Sequence, residues 1–120
     1  MSEPASLFVR HVRELARHMA WADATVWTSV LTAPAAVSDA KIADTLHHMH
    51  LVQHIFVQAW THATFAVRER NEFPTLDDIA IFGLDGRRGV LAFAESASAE
   101  DLDREVRMPW AAFFEQQSKQ

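Results

Sequence analysis

Between Ala5 and about Leu31 the apolar residues Phe8, Val12, Leu15, Met19, Ala22, Val26 and Val30 recur every three or four positions. That spacing places them on one face of an α-helix, whereas a strand would need alternation by two. Arg10, Arg13 and Arg17 fall on the opposite side. So long an amphipathic helix must lay its stripe against other helices, which restricts the chain to helical architectures. Thr32-Ala-Pro34 closes the helix, because proline disfavours helical geometry in the residue before it.

A second helix follows a loop over residues 33–38, with Ser38-Asp39 as its cap. It runs from about Ala40 to at least His62 and toward Arg68, with Ile42, Leu46, Met49, Phe56 and Trp60 as its apolar stripe. Arg68 to Phe73 reads as a connection ending at Pro74. Thr75-Leu-Asp-Asp78 then has the chemistry of a helix start, since a hydroxyl can accept from free N–H groups and carboxylates suit the positive end. The third helix passes through Ile79, Phe82, Val90, Leu91 and Phe93 to about Ser96. Gly83, Gly86 and Gly89 lie inside it, each costing roughly 1 kcal/mol relative to alanine, so a kink or break is expected there. Ser98-Ala-Glu-Asp101 begins a short helical turn that Arg107-Met-Pro-Trp110 ends, and Phe113-Phe114 precedes a polar tail.

No strand-like alternation of useful length occurs, so the expected class is all-α. With 120 residues the chain amounts to one domain, and three long helices on short loops predict an up-and-down bundle of antiparallel neighbours. The net charge of −5 and the scattered basic residues argue against a nucleic-acid partner. There is no cysteine, which excludes disulfides and thiolate ligands. The start has no signal-peptide pattern and no stretch approaches a membrane span, giving the expectation of a cytoplasmic protein without membrane contact.

Four of the seven histidines, His47, His48, His50 and His54, crowd into the second helix. Imidazole is the commonest transition-metal ligand and titrates near neutral pH, so chemistry is sought here first. On a helical wheel built around the apolar stripe, His47 and His54 align with Asp44 and Gln58 on the side read as solvated, and His50 sits at a margin of the polar side. His48 projects toward Val52, Ile55 and Ala59, where it could face an inter-helix groove. The competing account is a core-margin histidine satisfied by a carbonyl or water. In the first helix His11 and His18 align at the edge of the apolar face, and Asp23 falls within the inward arc. A carboxylate there needs a partner: either a metal or ligating histidine, or an inter-helix hydrogen bond, which is the more frequent case. Trp21 points away from the main stripe and suggests a second packing surface. There is no His-Glu-x-x-His, no G-x-S-x-G and no phosphate-binding glycine loop.

Leu15-Ala-Arg-His-Met-Ala-Trp-Ala-Asp23, Leu46-His-His48-Met with Phe56 and Trp60, Phe73-Pro-Thr-Leu-Asp-Asp78, the Ala99-Glu-Asp-Leu102 turn and Met108-Pro-Trp110 together, in order and spacing, resemble the DinB-like (damage-inducible DinB and YfiT-type) four-helix-bundle family. The resemblance implies nickel or zinc held by three histidines, one in the second helix at the position of His48 and two from a His-x-x-x-His pair in a last helix. It further implies a metal-dependent hydrolase or a thiol S-transferase acting on a small molecule or thiol. This sequence has no His-x-x-x-His pair beyond its second helix. A truncated piece, a helix supplied by a second subunit, or a degenerate member retained for binding would each account for that.

The expectation is therefore a single DinB-like helical domain over residues 1–120, binding a divalent metal through His48, with Asp23 as a positioning candidate and a homodimer formed through an exposed helical face. The rival expectation is a non-catalytic helical interaction or oligomerisation module.

Overall fold

The computed structural model describes residues 3–104, with side chains from Leu7 onward. The expectations placed on Arg107-Met-Pro-Trp110 and Phe113-Phe114 lie outside the described residues. The described chain is helical throughout its regular structure: α1 (Glu3–Leu31), α2 (Pro34–Val37), α3 (Ala40–Trp60), a 3-10 turn (Arg70–Glu72), α4 (Leu76–Ser96) and α5 (Ala99–Asp103). Among the described residues no strand forms, and no helix is long and apolar enough to cross a membrane.

Local chemistry sets the boundaries. The Asp39 carboxylate accepts from the backbone N–H groups of Lys41 and Ile42, satisfying two of the free donors that open α3. Thr75 with Asp78 and Ser98 with Asp101 form reciprocal capping boxes at the starts of α4 and α5. Backbone and side-chain hydrogen bonds from Ser98 hold the Asp101 carboxyl below its ordinary range. Helix α3 stops at Trp60, short of the expected run to His62 and beyond. There His62 adopts φ 59°, while His62 N–H donates to the carbonyl of Ala59 and Ala63 N–H to that of Gln58. This is a Schellman-type ending with histidine in the left-handed position glycine normally takes.

The glycines do not break α4, which is continuous from Leu76 to Ser96. They lie along its contact with α3: a Cβ built on Gly83 would meet the His50 ring, one on Gly86 the His54 ring, and one on Gly89 the Val57 methyls. The propensity penalty is offset by the close backbone approach that three missing side chains permit. The same three pairings run upward in both helices, so α3 and α4 are parallel. The strictly up-and-down arrangement is thus corrected. Residues 61–75 are long enough, at up to about 50 Å when extended, to return along a helix of roughly 30 Å and restart in the same direction. Helix α1 runs antiparallel to both, with Trp27 near His50, Asp23 near Gln53, and Arg13 bonded to the carbonyl of Ala94.

The core has two apolar clusters. Trp27, Ala43, Leu46, Phe73, Ile79 and Phe82 form one; Ala16, Val90 and Ala94 form the other, with Val12, Met19, Val57, Trp60 and Leu91 packed on it. Ile79 has no exposed surface, and truncating such a side chain to alanine typically costs about 2–5 kcal/mol.

Candidate functional site

The histidine cluster is arranged almost inversely to the helical-wheel expectation. His50 is 1 % exposed and His47 6 %, His54 is half-buried, and His48, the expected ligand, is exposed. Two structural facts produce the reversal. The crossover covers the side expected to be solvated: Gln58 exchanges hydrogen bonds with Ala66, His47 Nε2–H donates to the carbonyl of Arg68, and Arg70 pairs with Asp44. In addition, the glycine face of α4 admits imidazoles where larger side chains on α4 would have excluded them. Of the expected apolar stripe Leu46 is buried, whereas Ile42, Met49, Phe56 and Trp60 are only half-buried.

A chain of hydrogen bonds spans the gap between α1 and α3. Trp27 Nε1–H donates to His50 Nε2 at 2.8 Å, His50 Nδ1 bonds Gln53 Oε1 at 2.8 Å, and Gln53 Nε2 donates to Asp23 Oδ2 at 2.8 Å. The tautomer follows by elimination. Indole N–H can only donate, so His50 Nε2 accepts, the ring proton resides on Nδ1, and Gln53 Oε1 receives it. Every link is then a satisfied donor–acceptor pair ending on a carboxylate. Trp27 and Asp23 are 8 % and 7 % exposed, so both ends of the chain are buried, while Gln53 between them is half-buried. Burial is the main cause that lowers the His50 pKa below its ordinary value; the hydrogen bond with Gln53 and the Asp23 charge act in the opposite sense, while His54 and Arg87 add to the lowering.

This geometry dictates what the site can do. His50 is a neutral imidazole with both nitrogens committed, so it has no lone pair for a metal and no free proton to transfer. His54 Nε2–H donates to the carbonyl of Phe82, and its ring stacks on the Phe82 ring at 4.0 Å. His47 lies 5.3 Å from Phe73, ring to ring, and Arg68 covers that phenylalanine at 4.5 Å. These imidazoles serve as flat aromatic fillers anchored by one polar bond. Asp23 makes the inter-helix hydrogen bond that was one of its two sequence readings, with Gln53 as partner. His11, His18, His48 and His62 are all exposed. Among the described residues no group of three histidine, aspartate or glutamate side chains converges in a way that could hold a metal ion.

Trp27, Gln53 and Gly83 carry this site; Gln53 was not singled out from sequence, and Gly83 was read only as a weakness in the helix. A signal existed: His47, His50 and His54 are spaced by three and four, itself a helical stripe, and Gly83, Gly86 and Gly89 make a matching face three residues apart.

The fold and the buried polar chain together define an all-α bundle whose interior is fastened by hydrogen-bonded side chains. Comparison with protein-family models, curated proteins and solved structures gives no match to this chain.

Proposed function

We propose that this chain is a non-catalytic helical self-association module that pairs with a second copy of itself through α1. The observation that carries the reading is the outer edge of α1. Phe8, Leu15 and Val26 are 50 %, 55 % and 41 % exposed, and Met19 and Ala22 beside them are half-buried. Phe8, Leu15, Ala22 and Ser29 repeat every seven residues, with His11 or Val12, His18 or Met19, and Thr25 or Val26 between them. This is the spacing of a two-helix seam.

No Asp, Glu, Lys or Arg occupies that seam, although Arg10, Arg13, Glu14 and Arg17 crowd the other side of the helix. Loss of charge from a patch containing Phe, Leu and Met is the compositional mark of an interface core. It also favours a second copy as the occupant: in a symmetric pair the same edge faces itself, and an edge without charge meets no like-charge repulsion. The site residues fit this reading. The His50 chain fixes α1 against α3 and leaves the opposite edge of α1 presented on a rigid support.

Metal chemistry at His48, with nickel or zinc serving hydrolysis or thiol transfer, would need further ligands beside it, and among the described residues no group of three histidine, aspartate or glutamate side chains converges. Sedimentation equilibrium tests the self-association reading. The wild-type chain is expected to be dimeric, and Val26→Arg, which places a charge on an exposed seam position, is expected to be monomeric with an unchanged helical circular-dichroism spectrum. A wild-type monomer at every concentration examined, or a Val26→Arg protein that stays dimeric, overturns it.

A further inference from the structure

The seam on α1 is uneven along its length. Its large side chains at the seven-residue repeat, Phe8 and Leu15, lie in the first half, and the positions that continue the repeat hold Ala22 and Ser29. Phe8 and Leu15 are 50 % and 55 % exposed, so half of each stands clear of the chain's own core. The two flanks of the seam differ as well. One is formed by Val12, Met19 and Val26; Val12 and Met19, with Leu15, also wall an apolar recess of about 330 Å³ that α1 shares with Val90 and Phe93 of α4. The other flank is formed by Leu7, Glu14, Trp21 and Thr28, all exposed, and the His18 ring leans toward it, 5.5 Å from Trp21 between centroids.

We infer that the second copy docks antiparallel, with the two-fold axis at the level of His18 and Met19, so that Leu15 of each chain packs over Ala22 of the other and Phe8 over Ser29. The inference rests on self-association through α1 and adds how the two copies are oriented. In a parallel pair each seam residue meets its own copy. Phe8 against Phe8 and Leu15 against Leu15 would wedge the helices apart at one end, while Ala22 against Ala22 and Ser29 against Ser29 would leave the other end unfilled. A gap of about 0.5–1 Å already forfeits a quarter to a half of the dispersion attraction. Reversing one helix sets a large residue opposite a small one at both ends and keeps the separation even. The flanks agree. Parallel helices cross them, laying Glu14 beside Met19 of the partner, whereas antiparallel helices set like flanks together. Val12 then borders Val26 of the partner, Met19 borders its own copy, and apolar surface continues from the seam along the recess. Arg10, Arg13 and Arg17 all precede the midpoint, and residues 18–31 contain no lysine, arginine or glutamate. The antiparallel arrangement therefore places each arginine-bearing half beside one that lacks them, and it opposes the two helix dipoles.

Because the chain has no cysteine, single spin labels report the geometry. Labels are attached in turn to Arg10→Cys, Arg17→Cys and Thr28→Cys, three exposed positions off the seam, and distances between chains are read by pulsed dipolar EPR on samples shown to be dimeric by sedimentation. At roughly 1.5 Å per residue the antiparallel register separates the two labels along the helix by about 5 Å at position 17, about 26 Å at position 10 and about 29 Å at position 28. The shortest distance is expected at 17, whereas a parallel pair gives similar distances at all three. Ala22→Leu supplies a second readout. It overpacks against Leu15 of the partner in the antiparallel pair and is expected to raise the dissociation constant about tenfold or more, but it would fill the gap of a parallel pair and tighten it. A dimer in which position 17 does not give the shortest distance, or an Ala22→Leu protein that associates more tightly, overturns the antiparallel arrangement and leaves self-association through α1 standing. A chain that is monomeric at every concentration, or a dimer that survives Val26→Arg, overturns both.

Discussion

Substituting alanine at Gly83 and at Gly89 is expected to give unequal outcomes from one chemical change, and the difference tests the account of the α3–α4 contact. Both residues lie inside α4, where alanine is favoured over glycine by about 1 kcal/mol on propensity alone. At Gly83 the new Cβ would fall 2.4 Å from His50 Nε2, 2.6 Å from Cδ2 and 2.8 Å from Cε1. The imidazole cannot yield as the tip of a flexible side chain would. It is a rigid ring, 1 % exposed, tethered at both nitrogens. Either the helices separate, at the 1–3 kcal/mol typical of overpacking, or the ring swings out and strands the Trp27 N–H, at a further 1–3 kcal/mol for an unpaired buried donor. Subtracting the propensity gain leaves a net loss of about 0–2 kcal/mol for Gly83→Ala if the helices only separate and about 1–5 kcal/mol if the Trp27 N–H is stranded as well. At Gly89 the nearest atom is a Val57 methyl at 3.2 Å, which a shift of a few tenths of an ångström relieves. Gly89→Ala is expected to fall within about 0.5 kcal/mol of wild type. Urea denaturation followed by circular dichroism measures both, read as midpoint shifts at constant slope. Equal midpoints for the two variants, or a Gly83→Ala protein more stable than wild type, would refute the reasoning.

The buried imidazole gives stability a pH dependence. Its folded pKa lies below the ordinary value of about 6.5, so in the window between the two the unfolded chain binds more protons than the folded one. His50 therefore contributes fully above about pH 6.5, and that contribution declines as the pH falls from there through the folded pKa. Denaturation midpoints measured across this window are expected to drop on the acid side, with a shallower slope in His50→Gln; identical slopes would remove His50 as the cause. Trp27→Phe keeps an aromatic ring but leaves His50 Nε2 without its donor, an expected loss of about 1–3 kcal/mol, with a rise in the His50 pKa visible by NMR titration. His62→Gly relieves the left-handed φ at the end of α3 and is expected to raise the thermal midpoint, corresponding to about 0.5–1 kcal/mol; a lowered midpoint would show that the His62 side chain is needed there.

The sequence by itself determined the helices. Periodicity and capping chemistry are local properties, so the long helices at Glu3–Leu31, Ala40–Trp60 and Leu76–Ser96, and the starts at Asp39, Thr75 and Ser98, could be read along the chain within a few residues. The inward position of Asp23 was legible from its place beside Met19, Val26 and Val30, although the buried face it shares is that of Val9, Ala16 and Trp27, and Val26 is exposed. Tertiary structure alone decided which face of α3 is interior. A wheel weighted by hydrophobicity chose Ile42, Leu46, Met49, Phe56 and Trp60, of which Leu46 alone is buried, and left His47 and His54 to solvent. The neighbours reversed that choice: a face of glycines on α4 made room for imidazoles, and the 61–75 crossover covered the Asp44–Gln58 side. Burial of a polar ring depends on whether another element supplies its hydrogen-bond partners. Those partners, Trp27 for His50, the Arg68 carbonyl for His47 and the Phe82 carbonyl for His54, come from positions 21 to 28 residues away. No local pattern carries that information, and so the histidine that looked inward from sequence, His48, faces water.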